Sequence, residues 1–176
     1  MCMKNINTNI VFCDIISNEN NRNISLGNVV NKKFHISSNN IERKITQLSM
    51  AIFVSATQTK NSQALSKMDS SSVFLFDQKY DVKIRLTETI SGDFTDLGEF
   101  VLEPGATYES DGLCRSVFSY SHFCLFSDIV LPPKKEKEKF VIKLLIRKSA
   151  NIRSKNDDWI VQTIFPIKFD SEQARC

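Results

Sequence analysis

A chain of 176 residues with 41% hydrophobic and 24% charged side chains is long enough to bury one core without disulfide or metal staples. Its formal net charge of +3, from 23 Lys and Arg against 20 Asp and Glu, is too slight for a dedicated nucleic-acid binder. No stretch approaches the ~18 consecutive apolar residues of a membrane-spanning helix, and 13 Phe with only five Gly and four Pro favour strands.

In chain order, Ile10 to Ile16 and Ile24 to Val30 read as two buried strands joined by an Asn/Ser-rich turn, the first hairpin of the fold. Lys33 to Ile36 completes a strand before Ser37 to Asn40 breaks it. Over Ile45 to Val54, the apolar Leu48, Met50, Ile52 and Val54 recur with period two, which predicts a strand. Thr57 to Ser72 is polar and reads as a long exposed loop, with room for one short helix over Gln63 to Met68. Val73 opens a strand region that continues through Tyr80, Val82, Ile84 and Leu86, alternating with Asp81, Lys83, Arg85 and Thr87.

Ser91-Gly92-Asp93 is a turn, Leu97 to Leu102 a short strand, and Glu103-Pro104-Gly105 a second turn. Val117 to Val130 is rich in aromatic residues, and Leu131-Pro132-Pro133 leads from it into the charged run Lys134 to Lys139. Phe140 to Arg147 is a strongly apolar strand, and Trp159 to Phe169 is the last. Pro166 cannot donate to a ladder, so it places that strand at an edge or a bulge. About eight strands without a long helical period define an all-β fold, a single antiparallel β-sandwich. The whole chain, 1–176, reads as one domain, with 1–8 and 171–176 as loose termini.

The segment Ile10 to Val30 resembles a family of small uncharacterised bacterial proteins. They open on an apolar strand ending in Cys-Asp or Asp-Asp, followed by a polar loop and a Ser-Leu/Met-Ile-Gly strand. Phe12-Cys13-Asp14 and Ser25-Leu26-Gly27 carry the likeness, as do Tyr80 to Leu86 and the Leu131-Pro132 turn before Phe140 to Ile146. The chain has one acid where the family often has two, and a Lys/Glu run where a Gly-aromatic turn is common. The resemblance implies the sandwich fold and no catalytic residue.

Four sets of side chains are candidates for chemistry. Asp14, a carboxylate at the end of an apolar strand, could accept a ligand donor, although Asp in such a place ordinarily ties down the next turn. Cys114 with His122, and Cys124 nearby, could pair a thiol with its base, or bind zinc at an unusual spacing. Asp93, Asp96, Asp111, Asp128, Asp157 and Asp158 fall in or near loops and could offer oxygens to Ca²⁺, although they do not form a repeating loop pattern. Lys134, Lys135, Lys137 and Lys139 could contact an acidic partner or nucleic acid, although the alternating Glu residues nearly cancel their field.

No phosphate-cradling Gly loop, paired-carboxylate or Gly-x-Ser-x-Gly signature is present. The expected protein is a non-enzymatic binding module without a cofactor, acting through a protein partner or self-association, with nucleic acid and membrane insertion disfavoured. The alternatives are a Ca²⁺- or ligand-binding sandwich and a thiol-dependent enzyme. The first nine residues hold no continuous apolar run of the kind a secretory leader needs, so the expected compartment is the cytoplasm, with its thiols reduced.

Overall fold

The structure is a computed structural model that describes residues 3, 5–17, 24–27, 36–38, 43–59, 74–75, 78–103, 108–109, 115–132, 139–149 and 159–167. Every regular element among them is a strand: β1 (Ile6–Phe12), β2 (Asp14–Ser17), β3 (Ile24–Gly27), β4 (Ile36–Ser38), β5 (Arg43–Thr59), β6 (Tyr80–Glu88), β7 (Phe94–Leu102), β8 (Tyr108–Glu109), β9 (Arg115–Leu131), β10 (Phe140–Lys148) and β11 (Ile160–Pro166). One sheet runs β1-β5-β9-β8, with β4 pairing β5 in line with β1, and the other runs β11-β10-β6-β7. All pairings within both sheets are antiparallel. The fold is therefore the all-β sandwich that the strand pattern predicts. The short helix expected over 63–68 and the C-terminal segment 171–176 lie outside the described residues.

Period-two alternation builds the core. Tyr80, Val82, Ile84 and Leu86 of β6 and Phe140, Ile142, Leu144 and Ile146 of β10 point inward, opposite Leu48, Met50, Ile52, Val54 and Ala56 of β5. β9 adds Phe118, Cys124, Ile129 and Leu131 to the same cluster. Its buried positions are even-numbered up to Cys124 and odd-numbered from Ile129 on. Asp128, with φ of 52°, absorbs the change of face, since Asp is one of the few side chains that tolerates left-handed backbone. β5 switches face at the same level, between Ile45 and Leu48, so the pairing register survives intact.

The N-terminal hairpin is a correction. Ile10 to Ile16 is not one strand: it is divided at Cys13 between β1, which pairs with β5, and β2, which pairs with β3 in a separate ribbon. Cys13 is fully buried, its amide donates to the Ser49 carbonyl at 3.3 Å, and the Ser49 hydroxyl donates to its carbonyl. These bonds hold the chain where it leaves one sheet for the next. β1 also begins at Ile6, inside the stretch expected to be loose. Ile6 and Ile10 seal the core beneath β11, and that burial fixes the strand in place.

Candidate functional site

Each of the two sheets has two edges, one sheet's formed by β1 with β4 and by β9 with the short β8, and the edges come together in pairs. On one side β1 lies beside β11. There the Met3 amide donates to Gln162 Oε1 at 2.8 Å, Gln162 Nε2 donates to the carbonyls of Met3 and Ile6 at 3.4 and 3.3 Å, and the Thr8 and Thr163 hydroxyls bond to one another. Gln162 reaches β1 because it is the extra residue of a bulge: Leu144 pairs with Thr163 and Leu145 with Val161. A bulge re-aims the side chain it inserts.

On the other side β7 faces β9. β7 carries a bulge too, since Ile84 pairs with Gly98 and Arg85 with Asp96, leaving Leu97 over. That extra residue is apolar and packs on the core instead of reaching across. Gly98 lets the two strands approach closely, because a Cβ there would lie 3.4 Å from the Phe126 ring. Above that point Phe100 stacks on His122 at 4.1 Å and on Tyr120 at 5.8 Å, which closes the upper half. Below it the strands part.

The parted half is a cleft of about 720 Å³. Its walls are Asp93 to Leu97 and Leu125 to Pro132, and its depth is lined by Leu86, Glu88 and Phe140. Phe94 (58% exposed), Leu125 (63%) and Val130 (49%) present large apolar surface at its margin. Isolated exposed apolar residues need no explanation, but three around one opening do.

The rim is held in place by Glu88. This side chain is almost fully buried, yet it accepts hydrogen bonds from the Ser91 hydroxyl at 2.7 Å, the Ser91 amide at 2.5 Å, the Ile90 amide at 3.0 Å and the Lys139 amide at 3.3 Å. Those donors, Ser91 first, lower its pKa from 4.5 to about 2. Gly92, with φ of 78°, completes the turn between β6 and β7. Glu88 thus stays charged in a site where neutral donors, and no cation, hold it.

Asp96 lies at the other end of the wall and turns toward the outer face. Arg85 binds it at 2.5 and 3.0 Å and lowers its pKa, and Lys83 lies 3.5 Å away. Lys83 also binds Glu99 at 2.9 Å, which raises the lysine's pKa, and it sits over the Trp159 ring at 4.6 Å. Arg85 covers the Phe94 ring at 3.8 Å. The outer face of β6 and β7 is therefore a knitted charge network, and the cleft is not.

Asp93 and Asp96 of the calcium candidates thus share one wall of the cleft and Asp128 lies in the other, while Asp111, Asp157 and Asp158 lie outside the described residues. Among the described residues, no group of three or more His, Cys, Asp or Glu side chains is placed to hold a metal ion. His122 lies on the inner face of β9, stacked on Phe100, with Nδ1 3.5 Å from the Tyr120 hydroxyl; burial lowers its pKa. Burial pushes the Cys124 thiol up to about 11, which keeps it neutral and weakly nucleophilic near neutral pH. Cys114 falls outside the described residues, as do Lys134, Lys135 and Lys137. Lys139 is described and exposed, and it contributes its backbone to the Glu88 turn. Asp14 enters the β2–β3 ribbon, its backbone paired with Gly27.

Sequence reasoning missed Glu88, Phe94 and Leu125, and it placed Asp128 in or near a loop where the structure puts it inside β9. Two signals were available: a carboxylate three residues before the Ser91-Gly92 turn, and the Ser127-Asp128 break in the even-numbered apolar series of β9.

Fold and cleft together define the class: a two-sheet antiparallel sandwich, stitched along one side and partly open along the other. Compared with known proteins, the chain matches no family model, no curated protein and no solved structure. Among the described residues, no helix is long and apolar enough to cross a membrane.

Proposed function

We propose that this chain is a non-enzymatic binding module that docks a polypeptide on its open β7–β9 side. The observation that carries this reading is the 720 Å³ cleft between two strand edges, with Phe94, Leu125 and Val130 exposed around it. Unpaired strand edges offer rows of backbone donors and acceptors, and polypeptide is the chemistry that satisfies them. The apolar margin supplies the desolvation energy that a purely polar edge lacks. Among the described residues, nothing lining the cleft forms a nucleophile-and-base pair. Its buried carboxylate, Glu88, is fully engaged by the turn it holds. The same reading places the protein in the cytoplasm, where Cys13 and Cys124 stay reduced thiols.

The test is selection from a random displayed-peptide library on the intact chain, repeated on a variant carrying Phe94→Ser and Leu125→Ser. Both residues are solvent-exposed, so the variant keeps the fold. Docking on the open side predicts enriched peptides that lose binding to the variant. Enriched peptides that bind both proteins equally would place docking elsewhere and overturn the reading.

A further inference from the structure

We infer that the occupant of the open side is an extended segment of a partner protein that alternates apolar and basic side chains and adds as a strand to β9 over Tyr120–Ser127. This rests on the reading of that side as a polypeptide-docking surface and specifies what docks there.

The edge of β9 is already a working ladder. β8 pairs with Ser116 and Val117 on the side away from β5, and among the described residues nothing pairs with β9 beyond them on that side. The opposite edge of β5 shows the same device completed, with β1 and β4 lying end to end along it. Asp128 sets the limit of the run, because its left-handed backbone breaks the regular ladder after Ser127. A strand added there turns every second side chain inward: beside Tyr120 and His122 these border the Phe100 stack that closes the upper half, and beside Leu125 to Ser127 they enter the cleft that Leu86, Leu97 and Phe140 line.

Charge selects the rest of the occupant. Among the described residues, the cleft is lined by Glu88, Asp93, Asp96 and Asp128 and by no Lys, Arg or His, on a chain whose formal net charge is +3. Asp96 is neutralised by Arg85 and Lys83 on the outer face. Glu88 is held by neutral donors alone, and Asp128 makes no ion pair among the described residues. The carboxylates are spread along the walls and do not converge on a point, so they suit cations spaced along a chain and not a single metal ion. A second copy of this chain is disfavoured, since joining two β9 edges would bring two such carboxylate sets together. Nucleic acid is repelled for the same reason.

The experiment uses three synthetic nine-residue peptides on the intact chain: alternating valine and lysine, alternating valine and glutamate, and the lysine peptide N-methylated along one edge. Binding is followed by fluorescence polarisation at low and high salt, and the site by amide hydrogen exchange. The lysine peptide is expected to bind, to weaken as salt rises, and to slow exchange within 120–127. Asp128→Asn, which keeps a residue tolerant of left-handed backbone, is expected to weaken it about threefold. The glutamate and N-methylated peptides are expected not to bind. Binding by the glutamate peptide, insensitivity to N-methylation, or protection confined to β7 would overturn the inference while leaving the docking surface standing. If peptides selected from the random library fail to protect either β7 or β9, the docking reading falls with it.

Discussion

Two sides of one sandwich carry the same device and end differently. Both edge strands of the β11-β10-β6-β7 sheet are bulged, one at Gln162 and the other at Leu97. The glutamine amide reaches across and bonds to Met3 and Ile6, so β1 and β11 are stitched. The leucine has no polar group to offer and turns into the core, and among the described residues β7 and β9 meet where Phe100 and Gly98 approach aromatic rings of β9. Bulges are a common way to blunt a strand edge. Whether the edge is sealed depends on the chemistry of the one residue the bulge re-aims.

Substitutions on the two sides should therefore differ in kind, and the largest difference lies in stability. Ile10→Ala removes a buried side chain from the stitched side and is expected to cost about 3 kcal/mol, read as a fall in denaturation midpoint at unchanged m-value. Gln162→Ala leaves the Met3 amide and the carbonyls of Met3 and Ile6 without this partner and should cost about 1–2 kcal/mol. Hydrogen exchange in β1 should rise in that variant while β9 is unchanged. Equal effects on both sides would mean that the amide does not stitch the seam.

A pH-dependent effect comes next and belongs to the open side. The folded pKa of Glu88, about 2, lies below the ordinary 4.5. Its contribution to stability is therefore fully present above 4.5 and is lost as pH falls from there through 2. Glu88→Gln should destabilise at neutral pH and flatten the acid limb of a melting-temperature profile between those values. An acid limb unchanged by the substitution would remove Glu88 as the clamp of the rim. The smallest effect on stability is expected at the cleft margin: Leu125→Ser should shift stability by no more than about 0.5 kcal/mol, because the side chain is 63% exposed. Its loss should appear in binding instead.

Much of the sandwich was legible in the chain, because period-two alternation at Tyr80 to Leu86 and Phe140 to Ile146 states both strand and face. Pro166 marked an edge or a bulge, and β11 is an edge strand that carries a bulge at Gln162. The division of Ile10 to Ile16 at Cys13 was not legible. An unbroken apolar run carries no mark of where it changes sheets, and the bonds that divide it come from Ser49, far along the sequence. The cleft was hidden for a similar reason: its walls, near Phe94 and near Leu125, are distant in sequence and carry no shared motif. Glu88 precedes the Ser91-Gly92 turn in the sequence, but only the fold shows that its side chain collects donors from Ser91, Ile90 and Lys139.

The most direct measurement is a chemical-shift map of backbone amides during titration with a peptide selected on the intact chain. Perturbations should cluster at 93–97 and 118–131 and leave β1 and β11 silent. Shifts concentrated along the β1–β11 seam, with 118–131 unmoved, would contradict the assignment of the open side as the binding surface.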